Sequence, residues 1–243
     1  MTVQIWRVEV CLTTKTLFYR QNYHQHHKMD SRLNTNQLNE ALNQLADWFP
    51  EEATNLKNNR DAIIKCILEG TEPAPGSKLL SLKSSAAHEP PAALPPLTPC
   101  EEAIGVVIVD AVMFLLGLVG LHVSNQQRIA RALLKNLSPD TLRGFLRDIR
   151  NFNEATGALN KAKALFKLLG GIYKAGCFRA VFKVLKEEMT WWEWVKTGMI
   201  AVAQIMVWFA TDGVAFVAEA ALSIMSAESL IEDAIKADKV CGK

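Results

Sequence analysis

The chain has 243 residues, 49 percent of them hydrophobic and 21 percent charged, with a formal net charge of +2 and a mean hydropathy of +0.07. That is too polar for a multi-span transporter, yet apolar enough to fill a large core or to place one or two elements in a bilayer. The near-neutral total hides a division: residues 125–186 carry 13 Lys or Arg against 3 acids, whereas residues 187–240 carry 9 acids against 3 bases. The first block favours anionic lipid headgroups. Nucleic acid is not expected, because the basic helices carry apolar stripes that need burial and no recognisable binding motif accompanies them.

Residues 1–28 form a poorly defined extension. IWRVEVCLTTKTLFY alternates weakly, and Trp6-Arg7-Val8-Glu9 puts charge where the apolar run of a signal peptide would lie. Synthesis in the cytosol is expected, with membrane association in the active state. Met29 begins a cleaner pattern and is an alternative translation start. His24, His26 and His27 lie together without a carboxylate or cysteine partner, so no metal is expected there.

Residues 29–70 read as a small helical module of adaptor type, through which a protein partner could be engaged. Leu38, Ala41, Leu42, Leu45 and Phe49 recur at helical spacing before Pro50, and Ile63, Ile64, Ile67 and Leu68 precede Gly70. Such a module is marginal alone and would dock or act as an adaptor. Residues 71–99, rich in Pro, Ser and Ala, read as a linker.

Residues 100–243 read as helices throughout. The run Ala103 to Val123 is 21 residues long with Asp110 as its only charge, near the ~20 that span a hydrocarbon core. It leads into the basic stretch Gln126 to Leu137. Ser138-Pro139-Asp140 is a strong helix start, followed by an apolar stripe with Arg143, Arg147 and Arg150 on another face. A third helix is expected from Ala158 to Leu169, ending at Gly170-Gly171, and a fourth from Ile172 to Glu188. Thr190 and Glu193 have capping-box spacing, opening a helix to about Ala210. A break near Thr211-Asp212-Gly213, with Asp212 as cap, would lead to a further stretch reaching about Ala237. The fold expected is all-α: a helical bundle with a central apolar helix and an apolar C-terminal helical hairpin, preceded by the small module and the Pro-rich linker.

The five cysteines, Cys11, Cys66, Cys100, Cys177 and Cys241, show no metal-ligand spacing. Free thiols in a reducing compartment are expected, with no disulfide framework. No phosphate loop, metalloprotease motif, nucleophile elbow or carboxylate dyad occurs. The reading is therefore non-enzymatic, with no cofactor.

The function expected is a membrane-associating or pore-forming helical effector, analogous in mechanism to helical toxins and cell-death proteins, inserting apolar helices into anionic bilayers. Asp110, Asp212 and Glu219 would gate insertion, because a carboxylate at the bilayer centre costs about 2.5 to 3.5 kcal/mol. Arg128, Arg131, Arg143, Arg147, Arg150, Lys174, Lys183 and Lys186 would meet the headgroups. Trp191, Trp192, Trp194 and Trp208 would sit at the interface. Small residues, among them Gly105, Ala111, Gly117, Gly120, Ala201 and Ala218, would allow close helix approach and a homo-oligomer in lipid. The competing expectation is a non-catalytic soluble interaction or scaffold bundle whose apolar helices are all core.

Overall fold

The computed structural model describes residues 33–83, 97–120, 129, 133–135 and 137–242, and all regular structure among them is helical. The expected all-α architecture is what the structure has. Residues 1–28, the alternative start at Met29, residues 84–96 of the expected linker, Arg128 and Arg131 lie outside the described residues.

Local chemistry sets the boundaries. Helix α1, Thr35–Trp48, starts at a reciprocal Asn34/Gln37 capping box and stops ahead of Pro50. The next expected helix is two, α2 (Ala53–Asn58) and α3 (Arg60–Glu69), parted at Asn59 and closed by Gly70 in the left-handed region. A short turn of helix, α4 (Lys78–Ser81), follows and buries Leu79. Residues 71–83 of the expected linker thus include a docked segment.

Helix α5, Pro99–Leu118, carries a Thr98/Glu101 capping box with Pro at its first position. Helix α6, Pro139–Glu154, is capped by Ser138 as expected. Helix α7, Gly157–Lys174, runs straight through Gly170-Gly171, which corrects the boundary expected there. The reason is packing: a Cβ on Gly171 would lie 2.8 Å from the Phe145 ring of α6, so this glycine serves close helix contact. The stop comes at Gly176, the left-handed residue before α8 (Cys177–Glu188). Helix α9, Trp191–Ala210, opens with the expected Thr190/Glu193 box. The chain breaks at 211–213 and resumes as α10 (Val214–Ala220), a 3-10 turn (Ile224–Ser226) and α11 (Glu228–Cys241).

Two helix groups share α7. In one, α11 lies along α5, and α6 packs on both. In the other, α9 packs against α1 and also meets α4, α8 and α10. Helix α7 touches α5, α6, α8, α10 and the 3-10 turn, so one apolar core runs through the bundle. The N-terminal module is docked: Leu38, Ala41, Leu42 and Leu45 of α1 are wholly buried, and Gly198 of α9 comes against the Leu45 side chain.

Candidate functional site

The segment with the most distinctive chemistry is the apolar pair α9–α10. No single described helix is long and apolar enough to cross a membrane, but α9 and α10 together pass by length and composition, bent by 114° at the break. Asp212 sits in that break, exposed, with φ 48°. It does not cap α10. Gly213 does so through its backbone, at φ 80°, and a Cβ there would fall 2.4 Å from the Phe166 ring of α7. Glycine is needed both for the conformation and for the ring.

The four tryptophans expected at an interface are core residues in this fold, which corrects that placement. Trp191, Trp192, Trp194 and Trp208 are all buried, and each indole N–H donates to a partner, as a buried indole needs. Trp191 donates to Glu52, Trp192 to Glu72, Trp194 to the Phe182 carbonyl and Trp208 to Glu219. Glu219 therefore orients a ring across the bend instead of standing alone in an apolar wall. Glu72 also accepts from Lys196 at 2.6 Å. The Lys196 hydrogen bond, followed by that of Trp192, holds the Glu72 carboxyl below the ordinary range.

Lys186 is the second correction. Expected at the lipid surface, it is only 3 percent exposed and lies 2.6 Å from Glu51 and 2.9 Å from Glu52, above the rings of Phe49 and Trp194. A buried ammonium survives only when paired, and here two acids from the α1–α2 corner supply the charge. Burial works to raise the Glu51 carboxyl, but the Lys186 hydrogen bond and charge prevail and hold it below its usual range.

The remaining basic residues divide. Arg143 pairs with Asp140 and Glu101, and Arg150 pairs with Asp238 of α11 at 2.8 Å. Arg147, Lys174 and Lys183 are exposed. Part of the basic block is thus neutralised within the fold.

Asp110 lies at the other end of the site chemistry, on α5 facing α11. Its Oδ2 is buried without a hydrogen-bond partner, beside the Asp233 carboxyl. Burial, then hydrogen bonding to Asp233, then the Asp233 charge push Asp110 up to about 7. Along the same seam Cys100 and Cys241 form a disulfide, with Cα atoms 4.9 Å apart. This overturns the expectation that those two cysteines are free. Cys66 and Cys177 are free thiols, and burial pushes Cys177 up to about 11, which makes it an inert core residue.

Three features of the site were not anticipated from the residues. Val214, Leu222 and Met225 are 72, 80 and 55 percent exposed, the most exposed large apolar side chains among the described residues; Val214 opens α10 and the other two follow it. Lys163 is exposed on α7, the helix that carries α10. A groove of about 520 Å³ lies between α1 and α3, bordered by Asn39, Arg60, Asp61, Lys65 and Leu68. Among the described residues no group of three or more His, Cys, Asp or Glu could hold a metal. No protein-family model, curated protein or solved structure matches the chain, so the functional argument rests on this geometry.

Proposed function

We propose that the protein is a membrane-associating helical bundle that meets anionic bilayers through α10 and its flanking turns, with the bent α9–α10 pair as the element able to enter lipid and form a pore on self-association. The observation that carries this reading is the exposure of Val214, Leu222 and Met225 next to a helix break in an apolar part of the chain. Large apolar side chains left in water close together along the chain are candidates for an interaction site.

Magnitudes define the mode of binding. Burying three such side chains contributes about 1.5 kcal/mol each, and two cations brought to an anionic surface, for which the exposed Lys163 and Lys174 of α7 are candidates, would add about 1 kcal/mol each. Roughly 6 kcal/mol corresponds to tens of micromolar, which is reversible, peripheral attachment. Deeper entry needs the bend at 211–213 to open. Lipid could replace the apolar contact of α9 with α1, but the indole donors of Trp191, Trp192 and Trp194 would leave Glu52, Glu72 and the Phe182 carbonyl and need new partners on entry.

A second reading draws on the four buried tryptophans and the docked α1–α3 unit: a non-catalytic interaction bundle whose apolar helices never leave the core and whose partner sits in the α1–α3 groove. Flotation separates the two. Purified protein is expected to float with phosphatidylglycerol-containing vesicles and not with phosphatidylcholine vesicles, and Val214→Ser, Leu222→Ser and Met225→Ser together should abolish it. Absence of flotation by folded, monodisperse wild type gives the interaction bundle the stronger case.

A further inference from the structure

We infer that the Cys100–Cys241 disulfide is a reducible latch that fastens α11 to α5 and thereby keeps the α9–α10 pair in its bent, closed arrangement. Cys100 is the second residue of α5 and Cys241 the last of α11. Both are half-buried, so a small thiol can reach the bond.

Apart from the bond, α11 is held by close packing along α5 and α6, in which small side chains dominate. Its fully buried side chains are Leu230, Ala234 and Ala237, of which one is large. Its polar ties to α6 are the Arg150–Asp238 pair, exposed on both sides, and the Asn153 amide donating to the Ala234 carbonyl. Against these stands Asp233 facing the buried Asp110, two carboxyls on the same seam. The other charged groups paired on α6 and α7 are engaged elsewhere: Arg143 with Glu101 and Asp140, and Lys167 with Asp148. A helix whose buried side chains are mostly alanine and whose ion pair is exposed opens more readily than one anchored by large side chains.

Helix α11 is also the anchor of what precedes it. The chain leaves α10 at Ala220, makes the 3-10 turn and enters α11 at Glu228, so a tie on α11 limits how far α10 and α11 can move away together. The chemistry is thiol–disulfide exchange with a dithiol reductant. One thiolate attacks the Cys241 sulfur and expels Cys100 as a thiolate at the N-terminal end of α5, where the helix dipole favours an anion. The second reductant thiol then displaces Cys241. Two electrons pass from the dithiol, which leaves as a disulfide, and the two protons end on Cys100 and Cys241.

The test is hydrogen exchange read by mass spectrometry on the full chain without lipid, before and after dithiothreitol. Amides of residues 228–241 should exchange about tenfold faster or more after reduction while those of α1 and α9 are unchanged, and Cys241→Ser should reproduce this without reductant. Reoxidation should restore protection, which keeps the test valid if the variant fails to fold. Unchanged α11 protection overturns the latch, as does equal loss in α1 and α9, which would make the bond a staple of the whole fold. The consequence for lipid rests on the function proposed above: reduction should raise flotation with anionic vesicles. Faster α11 exchange with no flotation in either state retains the latch and removes the membrane reading.

Discussion

A single ammonium decides how the N-terminal helices are joined to the rest. Lys186 is enclosed by Glu51, Glu52 and two aromatic rings, and removing one partner of a buried ionic group costs more than the pair itself gains. Lys186→Met is expected to lower unfolding stability in urea by about 3 kcal/mol, with a good part recovered when Glu52→Gln is added. A loss below about 1 kcal/mol would mean that water reaches the cluster. From sequence this residue was one more cation on an amphipathic helix, because nothing local signals that two acids 135 residues or so away will fold over it. Gly213 is the opposite case: the break was legible from Thr211-Asp212-Gly213, but its owner was not. With φ 80° and the Phe166 ring beside it, Gly213→Ala should destabilise by about 1 to 3 kcal/mol in chemical denaturation. An unchanged midpoint would show that α10 is not held in its bend by that contact.

At the scale of elements, caps were the legible feature and helix partners were not. The Ser138 and Thr190/Glu193 starts and the stop at Pro50 are local hydrogen-bond and ring chemistry, and they fall where the residues place them. Gly170-Gly171 misled because a glycine pair reads as a terminator until the Phe145 ring is known to lie over it. Apolar stripes likewise give the buried face of a helix but not its partner, so the α5–α11 seam and its disulfide were invisible in scattered cysteines. That seam has a pH signature. Asp110 is near 7 in the fold against an ordinary 3.8, so the folded state binds its proton more tightly. Its contribution is fully present below pH 3.8 and is lost as pH rises to about 7. Stability should therefore carry a component that declines between those limits, and Asp110→Asn should flatten it when urea midpoints are compared at pH 4 to 8. An identical slope in the variant would show that Asp110 titrates as a solvated carboxyl. The sign also bears on the gating expected of Asp110: protonating it tightens the closed bundle, so acid would promote opening only if other groups outweigh this one.

For the whole molecule, the division of charge and the apolar content pointed to lipid, and the fold relocates where lipid would be met. The cationic block is partly spent on internal pairs, Lys186 with Glu51 and Glu52 and Arg150 with Asp238, and the tryptophans are spent on the core. Hydropathy cannot distinguish an apolar residue that is buried from one left in water, which is why Val214, Leu222 and Met225 emerge only from the structure. The Cys100–Cys241 bond joins positions 141 residues apart in the chain. The closed bundle is thus tied at its α5–α11 end and exposes its apolar residues at the α10 end. The central claim is that these α10 residues enter lipid, and an environment-sensitive fluorophore placed there reads it directly. With Cys11, Cys66 and Cys177 replaced by Ser, Leu222→Cys labelled at that thiol should show a blue-shifted, brighter emission with phosphatidylglycerol-containing vesicles and be quenched by nitroxide-labelled lipid. Emission identical to that in buffer, from protein that is folded and in excess lipid of either charge, would contradict the account.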